Sequence, residues 1–370
     1  MRILFISHSF EIGGVEKLIQ DLSDELKKRG HKTKRVALFV KGSLYSEQDS
    51  KCLAPFIFDI GFIRRIKPIF YPLFFLFSPV ILWRLRREII AFKPDVLHLN
   101  MWGADIFGSV IGKELKIRMV STQHDEVRIN FILRWLKIYA LKHVDVIVAI
   151  SGSIKCFVVD YFKADTKKID VIYNGVNLDK FINCRKKNEK WVPVFGSVGR
   201  LARIKGHIFV LEALKILRNE GFNALRFIFV GGGVEENRMR DFIKNNDLRD
   251  IEITGETNNI TAYLSKIDVF ILPSLSEGLG IVLIEALAAG KLIVATNTGG
   301  VQEIVKDGET GILIPPGDPE SLARVIKSIL LDRQKAIEFK NKATAFFDDK
   351  MSESFDFQTM VKNYEVLYDI

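Results

Sequence analysis

The chain begins twice. "RILFISHSFEIGGVEKLIQDLSDELKKRGH" reads as an apolar strand, a glycine-containing loop, an amphipathic helix and a stop at Gly30. From Val192, "VPVFGSVGRLARIKGHIFVLEALKILRNEGF" repeats the scheme down to Gly221. After each start, short apolar runs alternate with helical patterns: "DVLHLN", "IRMVSTQ" and "VDVIVAIS" in the first half, then "LRFIFVGGG", "IEIT", "VFILPS" and "KLIVATNT" in the second. Runs that are apolar on both faces belong to parallel strands covered by helices. The expected fold class is therefore α/β, with two Rossmann-like doubly wound domains facing each other across a cleft. Turn residues and a charged run in "VIYNGVNLDKFINCRKKNEKW" mark the boundary.

A length of 370 residues fits two domains. Cys52, Cys156 and Cys184 are odd in number and form no C-x-x-C pair, which points to a reducing compartment and against a disulfide scaffold or zinc site. The apolar run at the N-terminus is too short for a signal-peptide core and reads as a first strand, so the expected location is the cytoplasm. Residues 1–180 carry 29 Lys+Arg against 19 Asp+Glu, whereas residues 181–370 carry 25 against 26. The excess positive charge sits in the first half and should face something anionic.

Membrane fits that role better than nucleic acid. "RRIKPIFYPLFFLFSPVILWRLRREII" holds a 16-residue uncharged core, Pro68 to Trp83, between Arg64, Arg65 and Lys67 on one side and Arg84, Arg86 and Arg87 on the other. That is short of the ~20 residues needed to span a bilayer, and Pro68, Pro72 and Pro79 are expected to break a continuous helix. Aromatic groups between basic clusters suit a segment lying in the lipid interface of an anionic membrane surface. The alternative is a core element with solvated, charged ends. No helix-turn-helix, zinc or RNP signature supports nucleic acid as a partner.

The loops with chemistry-bearing residues all follow strands: Gly13-Gly14, Gln123-His124, Gly199 to Lys205, Ser276 to Gly280 and Gly299-Gly300. Ligands of open α/β sheets bind there. Arg200 and Lys205, beside the amides of a helix N-terminus, suit a diphosphate; surface basic residues are the plain alternative. "FVGGGVEEN" has Glu236 where a third dinucleotide-binding glycine belongs, which argues against hydride transfer.

In "PSLSEGLGIVLIEALAAG", Glu285 is the one charged residue of an apolar helix, and Glu277 stands eight positions earlier in a Ser/Gly loop. An ionised carboxylate there must meet a cation or strong donors. Either it is half of a structural ion pair, or it accepts bonds from neighbouring hydroxyls such as those of a ribose. With Glu277 facing a second ring and Arg200 and Lys205 between them, the set suits a nucleotide sugar.

These residues, with "GGVE", "TQHD", "VIYNGVNLDKF", "VGRLARIKG" and "TNTGGVQEIVKDGETGILIPPGD", resemble the GT-B-fold retaining glycosyltransferases of family 4, over nearly the whole length. The resemblance implies an acceptor-binding domain over 1–178, a nucleotide-sugar-binding domain over 179–350, and a C-terminal helix, 351–370, crossing back to the first. It implies that Arg200 and Lys205 hold the donor diphosphate and stabilise the leaving nucleotide. Glu285 would bind the ribose, Glu277 the donor sugar, with backbone amides of Gly278, Leu279, Gly280 and Ile281 nearby. Gly13 and Gly14 would lie against the diphosphate, and His124 near the reacting centre.

No metal or other cofactor is implied, and no D-x-D pair occurs in the chain. The implied activity is hexosyl or N-acetylhexosaminyl transfer, with UDP the expected nucleotide. The acceptor would be a lipid-linked saccharide or glycolipid of surface polysaccharide synthesis, on the inner face of the plasma membrane. Leu279 replaces the family's usual Phe, which leaves the donor sugar open. Two other readings remain at this point: another GT-B enzyme, such as a sugar-nucleotide epimerase or glycan phosphorylase, and, remotely, a nucleic-acid-binding protein.

Overall fold

The computed structural model describes residues 1–10, 13–42, 44–46, 48–53, 67–185, 193–257 and 259–369, and of 67–77 only the backbone. The chain divides into two compact units, Met1–Tyr173 with Val361–Ile370, and Asn174–Met360.

In the first unit the elements run β1 (Arg2–Ser9), α1 (Gly14–Lys28), β2 (Lys32–Val40), β3 (Ser50–Cys52), α2 (Lys67–Phe92), β4 (Val96–Asn100), α3 (Met101–Leu115), β5 (Arg118–Gln123), α4 (Phe131–His143), β6 (Val146–Ala149), α5 (Gly152–Phe162) and β7 (Ile169–Val171). The strands form one parallel sheet, ordered β3-β2-β1-β4-β5-β6-β7. The order reverses between β1 and β4, paired from Ile3↔Val96 to Ile6↔Leu99. That reversal opens a crevice at the strands' carboxyl ends.

The second unit carries α6 (Asp179–Ile182), β8 (Phe195–Val198), α7 (His207–Asn219), β9 (Phe227–Val230), α8 (Glu236–Asn245), β10 (Ile251–Ile253), α9 (Ile260–Leu264), β11 (Val269–Leu272), α10 (Ile281–Ala288), β12 (Leu292–Thr296), α11 (Val301–Ile304), β13 (Ile312–Ile314), α12 (Pro319–Leu331) and α13 (Arg333–Lys350). Its sheet is again parallel, β10-β9-β8-β11-β12-β13, and reverses between β8 and β11. Strands β8, β9, β11 and β12 are buried along their whole length, as unbroken apolar runs require. Phe195, Phe227, Phe229 and Val269 pack with Leu211 and Leu214 of α7 in one core.

The last helix, α14 (Phe357–Asp369), enters the first unit at Val361. There Tyr368 Oη lies 2.6 Å from His98 Nδ1, Tyr364 Oη lies 3.1 Å from Thr122 Oγ1, and Arg118 donates to the Leu367 carbonyl at 2.8 Å.

Helix α2 corrects one expectation. It runs unbroken through Pro72 and Pro79. Each proline removes a single N–H, and Pro68 lies in the first turn, where the amides have no helical partner anyway. Beyond Pro79, Ile81, Leu85 and Ile89 recur one turn apart and are buried, so packing holds this half of the helix in place.

Candidate functional site

The carboxyl edge of the second sheet is built by loops that touch backbone to backbone. Leu275 N donates to Ile204 O at 2.8 Å, Gly300 N to Glu277 O at 3.2 Å, and Leu201 N to Gly232 O at 2.8 Å. These bonds join the loops after β8, β9, β11 and β12.

Two glycines are required by that closeness. A Cβ on Gly299, whose φ is +50°, would stand 1.9 Å from Glu277 O, and one on Gly231 would stand 2.2 Å from Gly199 O. The glycines of "FVGGG" thus serve loop packing, which accounts for their failure to match a dinucleotide fingerprint.

Within this edge Lys205 Nζ donates to Glu277 Oε2 at 2.6 Å, and Ser274 Oγ donates to the same oxygen at 2.9 Å. The lysine side chain is 25% exposed and the carboxylate 12%, so the pair is largely shielded from water yet reachable from the loop side. Thr296 Oγ1 donates to Ser274 O at 2.5 Å, which fixes the residue that orients Glu277. Arg200 lies exposed in the same β8 loop. Gly278 and Gly280 lead into α10, whose first residue is Ile281, and the leading amides of a helix point out of its N-terminal end. Leu279 is buried at 1% exposure, so its side chain packs beneath the loop.

Glu285 departs from the expectation that it must have a partner. Its Oε2 is buried with no hydrogen-bond partner among the described residues. Burial pushes its carboxyl up to about 7. Burial disfavours the ionised form, so the group keeps its proton to higher pH than an ordinary glutamate. Among the described residues no cation pairs with it.

The first unit holds the other expected residues at the matching sheet edge. Gly13 precedes α1 and Gly14 opens it; a Cβ on Gly14 would meet nothing within 4 Å. His124 follows β5, with its Nε2 3.1 Å from Asn100 Oδ1 at the end of β4. An amide oxygen only accepts, so the ring proton sits on Nε2 and Nδ1 is the open acceptor. Nδ1 is buried without a partner among the described residues. Burial, and then the positive charge of Lys137, lower the His124 pKa to about 3, so the imidazole is neutral.

Beneath it lies a charged cluster that sequence reasoning missed. Asp105 of α3 is fully buried, accepts from Ser121 Oγ and from Gln123 Nε2 (3.2 Å), and faces Lys137 Nζ at 3.5 Å. The signal was present. Asp105 is a lone acid in the apolar run "WGADIFG", as Glu285 is in its own helix, and Lys137 is a lone interior cation in "RWLKIYAL".

Of the expected membrane-side residues, Arg64 and Arg65 lie outside the described residues, as does the side chain of Lys67. Arg84 donates to Leu53 O, Arg86 pairs with Glu114 at 2.9 Å, and Arg87 stacks 5.5 Å from the centre of the Trp83 ring. Among the described residues no helix is long and apolar enough to cross a membrane, and no three His, Cys, Asp or Glu side chains group as metal ligands.

Residues 180–346 match the family model for glycosyl transferases group 1, and residues 12–180 match that for glycosyltransferase family 4. The Escherichia coli UDP-Gal:alpha-D-GlcNAc-diphosphoundecaprenol alpha-1,3-galactosyltransferase is 28% identical over 279 residues, 70% of this chain and 70% of that protein. An uncharacterized glycosyltransferase of Methanocaldococcus jannaschii is 28% identical over 304 residues, 73% of this chain and 75% of its own. Among solved structures, Anabaena HepE in complex with UDP matches at a TM-score of 0.80 and 20% identity, covering all of both chains.

Proposed function

The chain belongs to the glycosyltransferases that join a family 4 half to a group 1 half, with their GT-B fold, and from that premise we propose that it transfers a sugar from a UDP-sugar to a lipid-linked saccharide or glycolipid, with retention of configuration and without a metal. The observation that carries the donor half is the Lys205–Glu277 pair at the sheet edge together with the buried Glu285 Oε2, unpartnered among the described residues, on the helix that follows the Glu277 loop. A ribose diol supplies the two hydroxyl donors that Glu285 lacks. Lys205 and Arg200 take the diphosphate and stabilise the charge that develops on the leaving nucleotide. Glu277 accepts from donor-sugar hydroxyls, and the amides from Gly278 to Ile281 approach the phosphates and sugar. In the first unit, His124 offers its Nδ1 as an acceptor to a substrate hydroxyl.

HepE is a UDP and UDP-glucose complex, and the E. coli relative is named for UDP-Gal and a diphosphoundecaprenol acceptor; both support this choice of donor and acceptor class. A lipid-borne acceptor places the enzyme on the inner face of the plasma membrane, in surface polysaccharide synthesis.

The test is to incubate the protein with UDP-hexoses and UDP-N-acetylhexosamines, with and without detergent-solubilised lipid-linked saccharides, and to read the product anomer by NMR. Acceptor-dependent transfer with the donor's own anomeric configuration is expected. Isomerised free sugar formed without acceptor would make it an epimerase, and an inverted product would overturn the retaining mechanism.

A further inference from the structure

Helix α4 buries Leu133, Lys137, Ala140 and Leu141 and turns its other face outward. That outer face carries Phe131, Ile132, Trp135, Tyr139 and Lys142 along one stripe, Ile132, Trp135, Tyr139 and Lys142 three or four residues apart, with Arg128 in the loop just before the helix. Phe131 is 77% exposed and Trp135 61%, and the Trp135 and Tyr139 rings stack at 6.4 Å between centres. Large apolar side chains so exposed in a row are not the scattered single hydrophobics of an ordinary surface.

Cations stand along the stripe. Arg128 and Lys142 stand exposed at its two ends, α4 contains no Asp or Glu, and Lys113 of the neighbouring α3 lies 5.5 Å from the centre of the Tyr139 ring. Acids also stand nearby: Asp125 and Glu126, the latter accepting from Ser153, in the loop entering α4, Asp145 just past its end, accepting from Met119 N, and Glu114 next to Lys113, paired with Arg86.

We propose that this face of α4 is where the first unit docks on an anionic lipid surface, with Phe131, Ile132 and Trp135 entering the headgroup boundary and Arg128, Lys113 and Lys142 meeting lipid phosphates. The proposal rests on the lipid-borne acceptor proposed above and assigns the docking surface to α4 instead of to the arginines of α2, two of which are engaged by Leu53 O and Glu114. Apolar aromatic residues flanked by basic ones, with no acid on the helix, match an interfacial helix. A second copy of the chain is the weaker occupant. A two-fold contact sets the same patch against itself and would bring Arg128, Lys113 and Lys142 of both copies together.

The experiment is co-sedimentation of the full chain with vesicles of phosphatidylcholine alone or mixed with phosphatidylglycerol, for wild type, Phe131→Ser/Trp135→Ser and Arg128→Ser/Lys142→Ser. Wild type is expected to prefer the anionic vesicles. The aromatic variant should lose roughly tenfold or more in partitioning, and the basic variant should lose the preference for phosphatidylglycerol. Transfer to detergent-solubilised acceptor is measured on the same proteins and should stay at the wild-type rate, which separates failure of docking from failure of the enzymatic reading. Sedimentation of the aromatic variant equal to wild type would overturn the proposal. So would a wild-type dimer, without vesicle binding, that the same variant dissolves.

Discussion

Lys205 Nζ lies 2.6 Å from Glu277 Oε2, so the cation expected at the diphosphate and the carboxylate expected at the sugar form one ion pair between the loops after β8 and β11. Each holds the other's charge in a site shielded from water. Lys205→Met strands the carboxylate, with the Ser274 hydroxyl as its remaining donor among the described residues. Thermal unfolding should show a loss of about 1–3 kcal/mol. Glu277→Gln added to Lys205→Met should restore most of that stability while transfer stays abolished. If restored stability brought activity back with it, the pair would be structural only.

Glu285 makes both stability and donor affinity depend on pH. Its folded value, about 7, lies above the ordinary 4.5 of a glutamate. Its contribution to stability is therefore fully present below about 4.5 and is lost as pH rises through about 7. Glu285→Gln should remove this slope and unfold at a higher temperature than wild type at pH 8. Ribose hydroxyls favour the ionised carboxyl, so donor binding should tighten as pH rises through 7. Calorimetry in buffers of differing ionisation enthalpy should show proton release on binding at pH 6.5.

Gly299→Ala tests the loop packing. Its Cβ would meet Glu277 O at 1.9 Å, from a backbone with φ +50°, so the β11 loop must shift. The expected cost is about 1–3 kcal/mol. A rise in donor KM should accompany it, measured against Gly308→Ala. Gly308 also has positive φ, but nothing lies within 4 Å of its would-be Cβ. Equal effects on KM in the two variants would show that loop contact does not position Glu277.

Asn100 sets the state of His124. Asn100→Asp puts a carboxylate 3.1 Å from Nε2 and should raise the imidazole pKa from about 3 into the range an NMR titration reads. Lys137→Met should move it the same way by removing a nearby positive charge. An imidazole that stays untitrated above pH 5 in both variants would mean that burial alone sets its state.

Much of this was legible because strand and loop chemistry are local. Unbroken apolar runs such as "VFILP" and "LIVAT" became the buried strands β11 and β12, and Gly30 and Gly221 end α1 and α7 with positive φ. What depended on tertiary context was not legible. No sequence pattern says that Glu285 lacks a partner, because that is a property of everything packed around it. Pro72 and Pro79 read as breaks because propensity was weighed without the burial of Ile81, Leu85 and Ile89 that holds α2 in place. Asp105 and Lys137 stand on different helices, and only the fold shows that each is the other's counter-ion.

The central claim is that Glu285 and the Lys205–Glu277 pair form a nucleotide-sugar site, and thermal unfolding against a panel of UDP-, GDP-, ADP- and CMP-sugars tests it most directly. Wild type should be stabilised by UDP-sugars, by about 2.7 kcal/mol at a hundredfold excess over Kd. Glu285→Gln, folded and at least as stable without ligand at pH 8, should show no shift. A variant stabilised by the donor as much as wild type would contradict the assignment of Glu285 to the ribose.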